Sequence, residues 1–331
     1  MKGTDVKRRL VAVLWMALIA AACTESTPVT QHATGTATEP AQPGERATTA
    51  PTPVTSPPVN GAPIDLVANP FRTGKTLVIP HGGGDGLFPE NTLVAYTKTV
   101  AMGADVIDVD LRITGDGVVV AFHDSTLDRV TGQAGKVLDH TYTELTALDA
   151  GWGFTDADGS HPFRGTGVQI PTLAAILDQF PATLLSFDLK DETTAMVQPV
   201  CDALVSRGRL NDVFVGSNSD AQIFQVRDTC PTVRTSATMI DVYASRDAKA
   251  ADRKDFVPAV VVDQPPYRID GRAIVDADSL AWAHDYGVAI LPWLVNDESD
   301  MRRLVELGVD GIYTSYPDRL LKLLGRYVDP A

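Results

Sequence analysis

The residues of this chain that could carry chemistry are two histidines and three aspartates at or near the ends of short apolar runs. The histidines are His81, after TLVIP, and His123, at the end of GVVVAFH. The aspartates are Asp108 and Asp110 in VIDVDLR and Asp188 in SFDLK. Histidine titrates near neutral pH and can take or give a proton, and clustered carboxylates suit Ca²⁺ or Mg²⁺ better than Zn²⁺. The set predicts acid/base chemistry beside one divalent cation.

The spacing within these runs predicts which side chains lie together. Residues two apart on a strand point to the same side, so Asp108 and Asp110 share a face, and Asp188 shares a face with Lys190. Each group taken singly could be a helix cap, an ion-pair partner or a solvated histidine. Charges inside apolar strands are costly without a partner, so the five groups together favour a functional site.

The elements that must position these residues alternate between apolar, β-branched strands and helical segments. The predicted strands are residues 76–81, 105–112, 117–123, 183–190, 212–217, 232–237, 259–264, 287–295 and 310–314. The predicted helices are residues 92–102, 172–179, 193–206, 220–228, 276–286, 298–307 and 317–327. This alternation is typical of a parallel sheet covered by helices. It predicts an α/β fold, a (β/α)8 TIM barrel with a small insertion after the second strand, whose functional groups gather at the C-terminal strand ends. The alternative is an open doubly wound sheet.

The glycine-rich stretch HGGGDG that begins at His81 allows three interpretations: an oxyanion loop, a phosphate cradle or a plain turn. The oxyanion loop of lipases requires a G-x-S-x-G nucleophile elbow, and the sequence contains none. A Walker loop requires G-x-x-x-x-G-K-[ST] after a strand, but Asn69 stands at the first glycine position and the segment precedes a strand. Both motif readings fail, and we expect the glycines to let the backbone approach a phosphate and metal closely.

The start of the chain reads as a targeting segment. Three basic residues, 7–9, precede an apolar run, 10–22, that is too short for a comfortable membrane span. The run ends in AAAC, which resembles a bacterial lipobox and predicts lipidation of Cys23; ordinary export with an incidental Cys23 is the alternative. We therefore predict a signal peptide (1–22), a lipid-anchored disordered Thr/Pro/Ala linker (23–64) and a barrel domain (65–331). The expected location is the cell envelope, on the outer face of the cytoplasmic membrane.

Charge and cysteine content limit the partners and the compartment. The 331-residue chain carries a net charge of −14, which argues against a nucleic-acid surface, and no obligate protein partner is indicated. Without Cys23, the cysteines are Cys201 and Cys230. In an oxidising compartment this pair could form a disulfide, or both could be buried free thiols.

The order of motifs resembles the glycerophosphodiester phosphodiesterase family, in particular its bacterial exported lipoprotein type. The family's His-Arg-Gly and Pro-Glu-Asn-Thr elements match His81 and residues 89–92, and its Glu-x-Asp and Glu-x-Lys strands match residues 108–110 and 188–190. The further matches are the block D-G-x-x-V-x-x-H-D-x-x-L-x-R (Asp116 to Arg129), LPWLVN (Leu291 to Asn296) and GVDGIYTSYP (Gly308 to Pro317).

The resemblance implies hydrolysis of glycerophosphodiesters to an alcohol and glycerol 3-phosphate. It implies one divalent metal, Ca²⁺ or Mg²⁺, with Asp108, Asp110 and Asp188 as ligands. It also implies that His81 and His123 form the acid/base pair. Expected substrates are glycerophosphodiesters from deacylated phospholipids, or lysophospholipids, and membrane contact is expected through the lipid anchor.

Four further residues are predicted substrate contacts. The resemblance implies that Lys190 contacts the phosphate, that Trp293 lines the glycerol side and that Glu90 also binds substrate. Gly82 stands where the family keeps an arginine, so the phosphate must find its positive charge elsewhere. Lys190 and Arg112 are the candidates for that charge.

Three other positions depart from the family pattern. Asp replaces Glu at 108 and 188, which shortens each side chain by one methylene, and Ser315 replaces an aspartate. These changes keep a second hypothesis open: a weakly active or non-catalytic barrel that binds phosphodiesters or lipid head groups at the cell envelope. The retained His81 and His123 favour catalysis. Residues 141–171 could form a lid or pack their aromatic side chains on the barrel rim.

Overall fold

The computed structural model describes residues 69–191, 193–251, 253 and 256–330 of the chain. The predicted signal peptide, the predicted linker and Cys23 lie outside these residues. No helix in the described ranges has the length and apolarity needed to cross a membrane.

Eleven strands are present in the described part of the chain. They are β1 (Leu77–Pro80), β2 (Val106–Ile113), β3 (Val119–Ala121), β4 (Leu184–Leu189), β5 (Val213–Ser217), β6 (Arg234–Thr235), β7 (Val262–Asp263), β8 (Arg268–Ile269), β9 (Arg272–Ala273), β10 (Ala289–Ile290) and β11 (Gly311–Thr314). Parallel pairing runs β2–β4–β5–β6, and separately joins β7 with β10 and β1 with β11.

Further backbone hydrogen bonds link these parallel groups into a closed ring. The N–H of Asp105 donates to the carbonyl of Val78 at 3.0 Å, which joins β1 to β2. The N–H of Ala237 donates to Val262 at 2.7 Å beside β6 and β7, and that of Tyr313 donates to Pro292 at 3.0 Å between β11 and the end of β10. The ring β1–β2–β4–β5–β6–β7–β10–β11 confirms the (β/α)8 barrel over the open sheet.

The helices that follow the strands begin close to their predicted positions. They are α1 (Leu93–Met102), α2 (Asp128–Thr131), α3 (Tyr142–Leu145), α4 (Leu173–Gln179), α5 (Val197–Ser206), α6 (Asp220–Thr229), α7 (Met239–Ala250), α8 (Ala277–Asp285), α9 (Glu298–Leu307) and α10 (Pro317–Leu323). Helices α2, α3 and α7 were not predicted, although Thr238 and Asp241 form a reciprocal cap at the start of α7. Helix α10 ends at Leu323, four residues before the predicted end.

Strand β2 shows how the sequence separates core from site. All eight of its residues are buried, and its alternate residues Ile107, Val109 and Leu111 belong to the hydrophobic layer beneath the helices. The intervening positions, Asp108 and Asp110, therefore point to the opposite side, toward the barrel axis. The aliphatic side chains pack the strand against the helices, and the two carboxylates face the side where the site lies.

The insertion between β3 and α4 packs on the barrel rim. The N–H of Gly153 donates to the carbonyl of Val130 in α2 at 2.9 Å. The ring of Phe163 stacks edge-on with Phe154 at 5.3 Å and with Phe88 of the glycine-rich loop at 6.4 Å. These contacts tie the insertion to the two segments that carry the histidines, as the packing interpretation predicts.

Two further features complete the fold. Strand β3 pairs antiparallel with β2 and stands outside the ring, so the predicted strand 117–123 is not a barrel strand. Cys201 in α5 and Cys230 after α6 form a disulfide with a Cα–Cα distance of 5.9 Å. The bond joins two neighbouring outer helices and lies within the hydrophobic core.

Candidate active site

A polar pocket of about 210 Å³ opens beside the C-terminal ends of β1 and β2. It is lined by His81, Gly82, Asp85, Glu90, Asn91, Asp110, His123, Asp124 and Arg129. The glycine-rich loop contributes three of these residues, and the segment after β3 contributes three more. Both predicted catalytic histidines therefore face one cavity, with their ring centroids 6.4 Å apart.

His81 is held by a carboxylate four residues further along the chain. Its Nδ1 lies 3.1 Å from Oδ2 of Asp85, in a tight turn where the backbone N–H groups of Gly84 and Asp85 donate to the carbonyl of His81. Burial alone would lower the pKa of His81, but the bond to Asp85 and the charges of Asp85, Asp108 and Asp110 outweigh it and raise that pKa to about 9. The imidazolium form is thus favoured at neutral pH.

His123 has a carboxylate partner of its own, but this one is shared with an arginine. The His123 Nδ1 lies 2.8 Å from Oδ1 of Asp124. Arg129 donates from Nε to Asp124 at 2.7 Å and forms a two-bond pair with Glu90 at 2.6 and 2.7 Å. Burial would raise the pKa of Asp124, but His123 and Arg129 hold it well below its usual range.

Asp110 lines the pocket, and Asp108 lies two residues before it on β2. Both are almost fully buried, with 4% of Asp108 and 2% of Asp110 exposed. Asp108 accepts the backbone N–H of Gly82 at 3.1 Å, and Asp110 accepts the side-chain amide of Asn91 at 2.8 Å. Burial and the neighbouring Asp110 charge raise the pKa of Asp108 to about 7. Burial alone would also raise the pKa of Asp110, but the charges of Lys190 and the two histidines lower that pKa well below its usual range.

Asn91 fixes the geometry between the glycine-rich loop and β2. Its Oδ1 accepts the Asp110 backbone N–H and the Tyr96 hydroxyl, each at 3.0 Å. Its own N–H donates to the carbonyl of Gly82 at 2.7 Å. Gly82 has a φ of 53°, in the left-handed region that favours glycine. Gly82 brings its backbone N–H against Asp108. The next residue, Gly83, packs against α1, where a side chain would have no room.

The third predicted ligand, Asp188, sits on β4 directly opposite Asp110 in the strand register. Between the two carboxylates lies the ammonium of Lys190, 2.6 Å from Asp188 and 3.1 Å from Asp110. Burial would lower the pKa of Lys190, yet these two carboxylates raise it well above its usual range. The lysine therefore neutralises one charge of a three-carboxylate group.

The donor set fits a divalent cation in chemistry and charge. Asp108, Asp110 and Asp188 offer hard oxygen atoms, and with Lys190 they leave a net charge of −2 when all are ionised. The raised pKa of Asp108 shows that its negative charge is not fully balanced. Within the described ranges, no three His, Cys, Asp or Glu side chains converge closely enough to form a ready-made metal site. The three carboxylates are present, and the ammonium of Lys190 lies between Asp110 and Asp188.

Of the four predicted substrate contacts, Glu90 lines the pocket, whereas Lys190, Arg112 and Trp293 lie outside its lining. Arg112 donates to the carbonyl of His123 at 2.7 and 2.9 Å, to that of Lys190 at 3.1 Å and to Asp191 at 2.8 Å, so the structure makes it a brace for the site loops. Trp293 is half-buried after β10 and donates its indole N–H to the carbonyl of Gln264 at 2.7 Å. Its glycerol contact stays a prediction.

The structure adds pocket residues to which the sequence gave no role. Arg129 and Asp124 belong to the block around His123, and Asp85 lies inside the glycine-rich loop. The sequence signal that could have found the two aspartates is a carboxylate one or four residues after a histidine. Only the fold shows that Arg129 is the guanidinium beside the histidines, in the part of the site that lacks an arginine at Gly82.

Comparison with known proteins shows the family to which the chain belongs. Residues 81–319 match the model of the glycerophosphoryl diester phosphodiesterase family. The chain belongs to this family. It is accordingly a phosphoric diester hydrolase, with glycerophosphodiesters as the substrate class.

Individual relatives agree along most of the chain. A glycerophosphodiester phosphodiesterase of Bacillus subtilis is 28% identical over 82% of this chain and 92% of its own length. A lysophospholipase D of Rattus norvegicus is 25% identical over 74% of this chain and 85% of its own. The structure of an Oleispira antarctica phosphodiesterase in complex with sn-glycerol-3-phosphate superposes with a TM-score of 0.61 at 21% identity, covering 78% of this chain and 99% of that one.

Proposed function

We propose that this family member hydrolyses glycerophosphodiesters to glycerol 3-phosphate and an alcohol by acid/base catalysis between His81 and His123. The observation that carries the proposal is the pair of imidazoles on one pocket, each bonded through Nδ1 to a carboxylate, Asp85 or Asp124. That bond leaves Nε2 of each ring for the substrate. Proton transfer of this kind contributes roughly 10²–10⁴ in rate for each group.

The charges around the two rings divide the roles. His81 is surrounded by three carboxylates that favour its protonated form, so we assign it the proton donated to the leaving alcohol oxygen. His123, whose carboxylate partner is already paired with Arg129, takes the proton of the attacking hydroxyl, which is water or the neighbouring glycerol hydroxyl. The bond from phosphorus to the new oxygen forms as the bond to the alcohol breaks, and each histidine ends in the opposite protonation state. If the glycerol hydroxyl attacks, the product of this step is a cyclic glycerol phosphate. Water then opens the ring to give glycerol 3-phosphate, with His81 taking the proton of water and His123 protonating the ring oxygen that leaves.

A divalent cation belongs to the proposal. Family members are generally dependent on a divalent metal, and Asp108, Asp110 and Asp188 would hold Ca²⁺ or Mg²⁺ here. When bound, such a cation neutralises the anionic phosphate oxygens and orients the group for in-line attack. The chain's own contribution is the buried carboxylate group on β2 and β4, the clamp by Asn91 and the exclusion of bulk water from β2.

The relatives indicate the class of substrate but not the alcohol that leaves. The names of the similar proteins indicate glycerophosphodiesters and, for the mammalian relative, lysophospholipids. We propose glycerophosphodiesters as the principal substrates, with lysophospholipids as a second group to test. The short distance between the histidine rings suits a compact phosphodiester.

One assay tests the enzymatic proposal. Release of glycerol 3-phosphate from glycerophosphocholine is measured with Ca²⁺, with Mg²⁺ and with chelator, for the wild type and for His81→Ala and His123→Ala. A matched control is His161→Ala, an exposed histidine of the insertion that contacts the carbonyl of Phe154. We expect cation-dependent release that falls about 10²-fold or more in the two pocket variants and is unchanged in the control.

Each part of the proposal has its own contrary outcome. Full release in the presence of chelator contradicts the cation requirement, and full release by both pocket variants contradicts the histidine roles. Binding of glycerophosphocholine without any turnover would instead support a barrel that only binds head groups.

We also propose that the protein is exported and anchored in the cell envelope through a lipidated Cys23. The proposal is supported by the basic and apolar segments before Cys23 and by the Cys201–Cys230 disulfide, since such bonds persist in oxidising compartments. Mass spectrometry of the mature N-terminus tests it. A mature chain that begins at Cys23 with attached acyl groups is expected, and a chain that retains residues 1–22 would contradict export.

A further inference from the structure

The ammonium of Lys190 occupies a defined place inside the carboxylate group. It contacts Asp188 at 2.6 Å and Asp110 at 3.1 Å, and these two residues face each other on adjacent strands. Only 16% of the lysine side chain is exposed. The charge therefore lies between the very oxygen atoms that the proposed cation would use.

The same contacts withhold Lys190 from the substrate. The pocket between the histidines is lined by one permanent cation, Arg129, and Lys190 is absent from that lining. Arg129 is itself paired with Glu90 and Asp124. In this arrangement a phosphate in the pocket meets no uncommitted positive side chain, although an anionic substrate requires one.

We propose that Lys190 is a built-in competitor of the divalent cation, and that cation binding frees its ammonium for the substrate phosphate. Two cations cannot share the same carboxylate oxygens without strong repulsion. A divalent ion on Asp110 and Asp188 therefore displaces the lysine charge, whose short tether keeps it beside the pocket. Cation and phosphate binding are then coupled, because each favours the same position of Lys190. This inference rests on the proposed cation and adds a regulation of that site.

A purely structural lysine would behave differently. If Lys190 only balanced the charge of Asp110 and Asp188, its removal would leave buried carboxylates unpaired and lower stability. It would then not be expected to govern the affinity for phosphate. The competitor model instead requires that the cation binds better when the ammonium is gone, at the cost of phosphate affinity.

Calorimetric titration of the cation tests the first part of the proposal, the competition between Lys190 and the cation. Ca²⁺ and Mg²⁺ are titrated separately into wild type, Lys190→Met and the control Lys322→Met. Lys322 is an exposed lysine of α10 paired with Asp318, so the control loses the same charge elsewhere. We expect at least about tenfold tighter cation binding by Lys190→Met and a change within about twofold for the control. Equal or weaker binding by Lys190→Met would overturn the inference.

The titration separates this inference from the proposed function. Cation binding of equal strength to wild type and Lys190→Met refutes only the competitor role. An absence of binding to every variant refutes the proposed cation and this inference together. Should Lys190→Met fail to fold, Lys190→Gln, which removes the charge but keeps a hydrogen-bond donor, is used with the same expectations.

The second half is tested with the product as probe. Binding of glycerol 3-phosphate is measured with and without saturating Ca²⁺ in wild type and Lys190→Met. We expect Ca²⁺ to strengthen product binding more in the wild type, by about fivefold or more relative to Lys190→Met, which lacks the released ammonium. Equal strengthening in both proteins would overturn the coupling.

Discussion

The two histidines of the site have the same immediate partner and different surroundings. Both bond a carboxylate through Nδ1, yet His81 is also affected by the charges of Asp108 and Asp110, whereas Asp124 is bound by Arg129. The negative field therefore acts on His81 without an arginine to balance it. In both cases the carboxylate orients the ring, and around His81 the further carboxylates also raise the pKa of the ring.

The surroundings of Asp85 add to this distinction. The Asp85 carboxylate is approached by the Ser315 hydroxyl, and burial opposes the lowering of the Asp85 pKa that His81 and this hydroxyl produce. Ser315 is the residue that replaces the family aspartate. An aspartate there would add a further negative charge beside Asp85, so serine and the loop carboxylate are compatible in a way that two carboxylates would not be.

The largest predicted effect separates the two histidines by leaving group. With glycerophosphocholine, His81→Ala and His123→Ala should each lose about 10²–10⁴ in kcat. With a p-nitrophenyl phosphodiester, whose leaving group departs without protonation, His81→Ala should recover most of its rate and His123→Ala should not. Steady-state kinetics on both substrates provides the measurement. Equal recovery by the two variants would show that the roles are not divided as proposed.

A smaller effect should appear in the pH profile of Asp85→Asn. Asp85 is the strongest of the groups that raise the His81 pKa to about 9, and the proposed role of His81 requires its protonated form. Activity should therefore persist in the wild type up to that pH, and in Asp85→Asn the alkaline limb of kcat/KM should move to lower pH. The rate at the optimum should fall by about tenfold, because the ring loses its orienting partner.

Asp124→Asn provides the contrast for that profile. Asp124 contacts His123 and Arg129, so its removal should lower activity and leave the alkaline limb in place. An alkaline limb that stays fixed in Asp85→Asn as well would mean that another group sets it.

The smallest predicted effect concerns the arginine that distinguishes the His123 side. Arg129→Lys keeps the charge but cannot bridge Glu90 and Asp124 with paired hydrogen bonds. We expect kcat/KM to fall by a few fold, up to about tenfold, with little change in the free energy of unfolding because Arg129 is 54% exposed. The matched control is Arg207→Lys, a surface arginine paired with Asp178. A loss of kcat/KM no larger than that of Arg207→Lys would show that Arg129 has no role in the reaction.

Local patterns in the sequence were sufficient to predict the barrel and its polar strand ends. Alternation of two in β2 placed Asp108 and Asp110 on one face, because strand geometry fixes side-chain direction without reference to the rest of the fold. The helix caps, such as Thr92 and Thr172, are equally local, and the helices that follow them begin where predicted. Helix α7 was missed although its reciprocal cap, Thr238 with Asp241, is equally local.

Contacts between distant residues required the tertiary structure. Arg112 reaches Asp191 and Arg129 reaches Glu90, which are 79 and 39 positions away in the sequence. The sequence identified charged residues that could face a phosphate, but the direction of a long flexible side chain depends on which partners the fold brings within reach. Arg112 was therefore expected at the phosphate and was found on backbone carbonyls, while Arg129 lines the pocket.

The sequence by itself determined the chemical inventory of this protein: two histidines, three aspartates and one lysine at the ends of neighbouring strands. Residue type and strand periodicity are properties of short segments, so they survive without knowledge of the fold. Only the tertiary structure decided which carboxylate serves which histidine and that Lys190 lies between Asp110 and Asp188. Those arrangements depend on distances and burial across β1, β2 and β4, which exist only when the barrel closes.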